Sequence, residues 1–257
     1  MATVTNAQIK AIPGWFGGLD VPAFRLLLAE TAVRLGGDLA ELGVYQGKSA
    51  VLLGAYLNSG ETLTVVDLFG TEASADGNKR ENAEQYPNLT RAQFEHAYQR
   101  VHGNLPVVIE GYSSSITQYA AAAAHRLVHV DASHLYEHVV TDIESARTLL
   151  KPDGIAVFDD YRSGHTPGVA AAVWQAAGGG MRPFLLTPQK LYATWGDPSL
   201  WRELVHTWAQ ANLVDSYELQ TIGGNEVVRV WSKLNPIVRH LPPSTIPALR
   251  RVRALWT

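Results

Sequence analysis

The sequence predicts an α/β fold: a doubly wound, mostly parallel sheet with helices on both faces and a C-terminal antiparallel hairpin. Three observations carry that expectation. Short apolar runs alternate with helical patterns through the first 160 or so residues, which implies parallel strands joined by right-handed crossovers. The runs are continuously apolar rather than alternating, as strands covered on both faces require. Polar or glycine-bearing segments follow each run, at Gly43 to Gly47, Asp67, Gly111 to Ser115, Asp131 and Asp159-Asp160. In an open parallel sheet that is the edge where ligands bind.

Asp20-Val21-Pro22 reads as a helix start, with Asp20 as cap and Pro22 in the first turn. Apolar residues recur at Phe24, Leu27, Leu28 and Val33, and Gly36-Gly37 ends the helix. Leu39 to Val44 is a buried strand, Ser49 to Leu57 a helix, and Thr62 to Asp67 a second strand. From Gly70 to Asn104 the chain turns polar, with a helix around Arg91 to Val101; this stretch reads as an insertion or lid over a site. Pro106 to Glu110 is a strand, Ile116 to Ala124 a helix, and Arg126 to Asp131 a strand. Tyr136 to Leu150 is a strongly periodic helix, and Lys151 to Gly154 a turn before the strand Ile155 to Asp160. A helix follows at Val169 to Ala177, a strand at Leu191 to Trp195 and a helix at Leu200 to Ala211. Tyr217 to Ile222 and Glu226 to Trp231, joined through Gly223-Gly224-Asn225, form the terminal hairpin. One domain is expected over 1–235, with a helical appendage at 1–37, the insertion at 70–104 and a basic tail at 236–257.

The 257 residues contain no cysteine, which excludes disulfides, thiolate metal sites and cysteine nucleophiles. A formal charge of −3 leaves no electrostatic footprint for nucleic acid. Arg239, Arg250, Arg251 and Arg253 concentrate charge in the tail, which is expected to pack on the domain or on a partner subunit of a homodimer. No apolar run approaches the ~20 residues that cross a bilayer, so no transmembrane segment is expected. Met1 to Lys10 lacks a signal-peptide pattern, and a cytoplasmic location is expected.

Gly43 and Gly47 allow a tight turn with backbone close to a ligand at the start of a helix. Their Gly-x-x-x-Gly spacing differs from the Gly-x-Gly-x-x-Gly of dinucleotide binders. Asp67 stands 20 residues beyond Gly47, at the end of the next strand, where a carboxylate can hold a ribose diol. Glu41-Leu42-Gly43-Val44-Tyr45-Gln46-Gly47-Lys48-Ser49 resembles the first motif of class I S-adenosylmethionine-dependent methyltransferases, whose Rossmann-like sheet matches the expected fold. His129-Val130-Asp131-Ala132-Ser133-His134-Leu135-Tyr136-Glu137, Leu149 to Gly154 and Phe158-Asp159-Asp160-Tyr161 resemble a narrower group. That group is the metal-dependent sugar O-methyltransferases of macrolide and aminocoumarin biosynthesis, with cephalosporin-hydroxylase-like relatives.

The resemblance implies S-adenosyl-L-methionine as cofactor, held around Glu41, Gly43, Ser49 and Asp67 with Ser113 near the adenine. Tyr45 and Gly47 belong to the same loop, and Asp131 faces it from a neighbouring strand. It also implies a divalent metal on Asp131, Asp159 and Asp160. The residues alone agree: adjacent carboxylates repel unless a cation or protons intervene, and hard oxygen ligands favour Mg²⁺, with Mn²⁺ or Ca²⁺ also suited. Such an ion could hold two sugar oxygens and activate the attacking hydroxyl, which makes Asp131 part of the catalytic set. Sugar-group relatives often carry a second carboxylate where this chain has Ser133, so the base falls to His134, with His165 as rival. His129 lies within a strand and reads as core. Tyr45, Phe69, Tyr161 and Trp195 stand near strand ends as a candidate sugar platform, whereas Trp174 and Trp208 read as helix packing. The function expected is O-methylation of a sugar or polysaccharide hydroxyl, with a small-molecule or oligosaccharide acceptor. The alternatives are a catechol or other phenol as acceptor, or a non-catalytic cofactor-binding scaffold.

Overall fold

The computed structural model describes residues 4–71, 79, 88–214 and 216–232. The tail at 236–257 lies outside the described residues, as do 72–78 and 80–87 of the expected lid. Nine strands form one sheet: β1 (Asp38–Leu42), β2 (Leu63–Asp67), β3 (Val107–Glu110), β4 (His125–Val130), β5 (Leu150–Phe158), β6 (Arg182–Leu186), β7 (Leu191–Thr194), β8 (Ser216–Ile222) and β9 (Asn225–Trp231). Their order is β3-β2-β1-β4-β5-β7-β6-β9-β8. β1 to β5 run parallel, β7 is antiparallel to β5 and β6, β9 is parallel to β6, and β8–β9 is the antiparallel C-terminal hairpin. This is a doubly wound, mostly parallel, Rossmann-like sheet.

The helices are α1 (Asn6–Ala11), α2 (Asp20–Arg34), α3 (Lys48–Gly54), α4 (Arg91–His102), α5 (Tyr136–Leu149), α6 (Pro167–Gly178) and α7 (Ser199–Trp208). Successive strand residues point to opposite faces, and both faces are dry. Leu39, Leu127, Ile155 and Val157 pack with Leu27, Leu28, Leu52, Phe94 and Trp201 of α2, α3, α4 and α7. Ala40, Leu42, Val128, Val130, Ala156 and Phe158 pack on the other face with Val139, Ile143, Val169 and Val173 of α5 and α6. Among the described residues, no helix is long and apolar enough to cross a membrane.

The structure departs from the expected elements in four places. Asp20 does not cap α2; it is buried within the first turn and accepts a 2.7 Å hydrogen bond from the Tyr192 hydroxyl. The expected helix at 116–124 is a 3₁₀ helix at Ser113–Gln118. It stops because the amides of Ala123 and Ala124 bond instead to the carbonyls of Thr148 and Leu149, steering the chain into β4. Lys151 to Gly154 is not a turn but the irregular start of β5, and the Lys151 ammonium bonds the Leu35 and Gly36 carbonyls beyond α2. β6 was not expected at all. Pro183 breaks its ladder and shifts its register, as a proline does within a sheet.

Candidate active site

A cavity of about 880 Å³ opens beyond the carboxyl ends of β1, β2, β4 and β5. The Gly43–Gly47 loop forms one part of its wall. Gly43 has φ +79°, and a Cβ there would stand 2.1 Å from the Asp131 carbonyl oxygen. Gly47, at φ +89°, would set a Cβ 2.8 Å from the Phe94 ring. Glycine is required at both positions, by conformation and by space. Asp67 fixes the loop: its Oδ2 accepts the Val44 and Tyr45 amides at 2.8 and 2.9 Å, and its Oδ1 accepts Phe69 N at 2.8 Å. Burial pushes its carboxyl above the usual range, and these amide bonds pull it back. Asp67 also lines the cavity, so it both shapes the loop and borders the ligand space.

Gly43, Tyr45, Ser49, Asp67, Ser113, Asp131, His134, Asp159, Asp160 and His165 all line this one cavity. Gly47 and Glu41 do not. Glu41 is fully buried behind the loop, where Oε1 accepts the Ser49 hydroxyl and His129 Nδ1, the latter at 2.7 Å. Burial pushes Glu41 up to about 8. Glu41 shares with Leu39 the face covered by α2 and α3, which sets it behind the cavity wall rather than on it. His129 is buried core, as expected, and held neutral by burial and by the nearby Lys190 ammonium.

The three carboxylates expected to hold a metal each meet other partners in the structure. Asp159 Oδ2 lies 2.7 Å from the ammonium of Lys190, and its Oδ1 accepts Asp160 N at 2.9 Å. Asp131 Oδ2 stands 3.8 Å from the same ammonium. Asp160, at φ +54°, turns elsewhere: it accepts the Ser163 hydroxyl at Oδ1 and faces His134 Nε2 at 3.4 Å through Oδ2. Among the described residues, no three acidic or imidazole side chains converge as a metal site. The cation that the clustered carboxylates demanded is a lysine on the β6–β7 turn. Burial and the charge of Asp159 push Asp131 well above the carboxylate range. Asp159 itself is held below it by Lys190, against its own burial.

His134 and His165 stand together, ring centroids 6.1 Å apart. Ser133 Oγ lies 3.0 Å from His138 Nδ1, which orients a third imidazole at the cavity wall. Of the four aromatics expected as a platform, only Tyr45 lines the cavity. Phe69 is buried against Phe94, and Tyr161 is buried with its hydroxyl donating to the Thr187 carbonyl. Trp195 packs on the core beneath α5 and α6. Trp208 is core as expected, whereas Trp174 is only partly buried, edge-on to Tyr161. A wall that was not expected comes from Gly14-Trp15-Phe16, between α1 and α2. Trp15 is 62% exposed and its ring stands 5.4 Å from that of Tyr45. Lys48 Nζ ties this segment to the loop through the Gly14 carbonyl at 2.8 Å.

Glycine loop, acidic strand end and ligand-sized cavity define the class of protein: an α/β enzyme that holds a nucleoside-bearing cofactor at its topological edge. Residues 40–161 match the protein family described as a methyltransferase domain. That match spans just under half of the chain and supports an S-adenosylmethionine-dependent methyltransferase. No curated protein matched the chain. Among solved structures, the O-methyltransferase NovP shares the fold at 17% identity, covering 69% of this chain and 81% of its own, with TM-score 0.53. CalS11, a calicheamicin methyltransferase, does so at 20% identity over 70% and 79%, with TM-score 0.52. A Corynebacterium glutamicum protein does so at 16% identity over 76% and 92%, with TM-score 0.53.

Proposed function

We propose that this enzyme methylates a hydroxyl of a sugar, on a small molecule or an oligosaccharide. The observation that carries the reading is the convergence, in one cavity, of the Gly43–Gly47 loop and Asp67 with His134, Asp160 and His165. When bound, S-adenosylmethionine supplies a sulfonium methyl that takes an electron pair from the acceptor oxygen as the carbon–sulfur bond breaks. Asp67 and Ser113 border the nucleoside end, Ser49 the loop end. A cavity of about 880 Å³ leaves room for an acceptor beside such a cofactor.

A hydroxyl must lose its proton as the new oxygen–carbon bond forms, and a positioned imidazole is suited to take it. We assign that role to His134, whose Nε2 faces Asp160. Asp160 orients the ring and stabilises the imidazolium. Its carboxyl stays ionised: burial raises it, but hydrogen bonds from His134 and Ser163 hold it below its ordinary value. The Trp15–Tyr45 pair offers ring faces to the C–H surface of a pyranose. NovP, similar in fold, is an O-methyltransferase.

Radiolabelled methyl transfer across matched panels of sugars, glycans and catechols tests this. Label in sugar hydroxyls is the expected result. Label in catechols alone would sink the sugar assignment, and calorimetry showing no S-adenosylhomocysteine binding would sink the whole reading.

A further inference from the structure

Behind the acceptor end of the cavity, Lys190 is 1% exposed, one of the few lysines that a fold buries at all. It is the last residue of the Thr187-Pro188-Gln189-Lys190 turn. Thr187 N donates to the Lys190 carbonyl at 2.9 Å and Lys190 N donates to Thr187 Oγ1 at 2.8 Å, so its backbone is fixed. Because β7 runs antiparallel to β5, with Leu191 opposite Phe158, this turn lies at the same sheet edge as Asp159. The ammonium has three donors. One meets Asp159 Oδ2 at 2.7 Å, one meets His129 Nε2 at 3.0 Å, and Asp131 Oδ2 stands 3.8 Å away. The Phe16 ring closes the remaining side, 5.6 Å from Nζ.

We propose that Lys190 is a positioning residue whose ammonium is the resident cation of the acceptor end, so that methyl transfer here needs no divalent metal. The inference rests on the methyltransferase reading above. A divalent ion of the Mg²⁺ kind wants near-octahedral oxygen at about 2.0–2.1 Å. Here both oxygens of Asp159 are engaged, by Lys190 and by Asp160 N. Both oxygens of Asp160 face Ser163 and His134. An ion set against Asp131 and Asp159 would also be repelled by the ammonium they share. Lys190 does what such an ion does electrostatically, balancing the Asp159 carboxylate beside Asp131, but it offers no open coordination position. Its second contact extends the effect: Lys190, His129, Glu41 and Ser49 form a continuous buried chain from the acceptor carboxylates to the cofactor loop.

Full-length protein stripped with EDTA tests this through Mn²⁺ binding, read by electron paramagnetic resonance, beside calorimetry with S-adenosylhomocysteine. The wild type is expected to bind S-adenosylhomocysteine and to leave the free Mn²⁺ spectrum undiminished. Its methyl transfer should be unaffected by EDTA and unstimulated by Mg²⁺. Lys190→Met, which keeps length and removes charge, should gain one Mn²⁺ per chain, lost again in Lys190→Met/Asp159→Asn. One Mn²⁺ bound per wild-type chain and lost in Asp159→Asn would overturn the proposal, whether or not Lys190→Met folds. A Lys190→Met protein that still binds S-adenosylhomocysteine yet takes up no Mn²⁺ would overturn the part given to Lys190. Failure to bind S-adenosylhomocysteine is a separate result and falls on the cofactor reading instead.

Discussion

At Gly43 the cofactor loop passes β4 so closely that a methyl group has no place to go except into the Asp131 carbonyl. A left-handed backbone forced on alanine costs about 1–3 kcal/mol before that clash is relieved. Gly43→Ala should therefore lower the melting temperature and weaken S-adenosylhomocysteine binding at least about tenfold, the equivalent of 1.4 kcal/mol. Calorimetry checks it, and unchanged affinity would detach the loop from the cofactor. His134 is a different kind of residue, half-buried at the wall and paired with Asp160. His134→Ala should cut kcat by about 10²–10⁴, the usual contribution of a positioned acid or base, and leave S-adenosylhomocysteine affinity unchanged. If His165→Ala produces that loss and His134→Ala does not, the base is His165.

Among the elements, the β6–β7 hairpin is the one on which the acceptor end depends, since its turn delivers Lys190. Thr187 holds the turn from within, its Oγ1 accepting Lys190 N at 2.8 Å and Gln189 N at 3.3 Å. Thr187→Val keeps the shape and removes the acceptor, leaving a buried amide unpaired at a cost of about 1–3 kcal/mol. Urea unfolding should register that loss, and an unchanged midpoint would mean the turn is held by its backbone alone. This hairpin also marks where sequence reading stopped. β1, β2, β4 and β5 were legible because each is a short, mostly apolar run closed by glycine or aspartate. β6 carries Arg182-Pro183, which reads as an interruption, so its turn and its lysine went unnoticed. The signal was nonetheless present: a proline at the second position of Thr187-Pro188-Gln189-Lys190 favours a turn. Asp131, Asp159, Asp160 and His134 could be placed because strand ends determine their location. The cation shared by Asp131 and Asp159 could not, because Lys190 reaches them across the sheet from 59 and 31 residues away in sequence. Glu41 could have been placed correctly, since strand alternation puts it on the face of Leu39. Trp15 could not, because the Ile12 to Gly18 segment has no periodicity to follow.

Over the whole molecule, the sheet keeps a carboxylic acid buried on each face, and the two make stability depend on pH in one direction. Glu41, on the face of α2 and α3, is pushed by burial from 4.5 up to about 8. Asp142, on α5 against the other face, is pushed by burial from 3.8 up to about 7. Each binds a proton more tightly folded than unfolded, so its contribution is complete below its ordinary value and is lost as pH rises through the raised one. Below pH 6.5 an opposite trend interferes. His102, His125 and His129 are all depressed, burial being the largest cause, and acid favours the unfolded chain, in which they charge freely. At 6.5 the unfolded imidazoles are still half charged, so their opposing trend fades only about one pH unit higher, where the raised acids set the slope. Between about pH 7 and 8 stability should therefore fall, by up to about 1.4 kcal/mol per pH unit for each acid still protonated. Glu41→Gln and Asp142→Asn should each flatten part of the profile, and the double variant most of it, as read by urea unfolding at fixed temperature. A wild-type profile that stays level across this window would mean that Glu41 is ionised in the fold. Its charge would then be carried by Ser49, His129 and, one bond further, Lys190, and the chain joining cofactor loop to acceptor carboxylates would hold a full ion pair rather than a neutral acid.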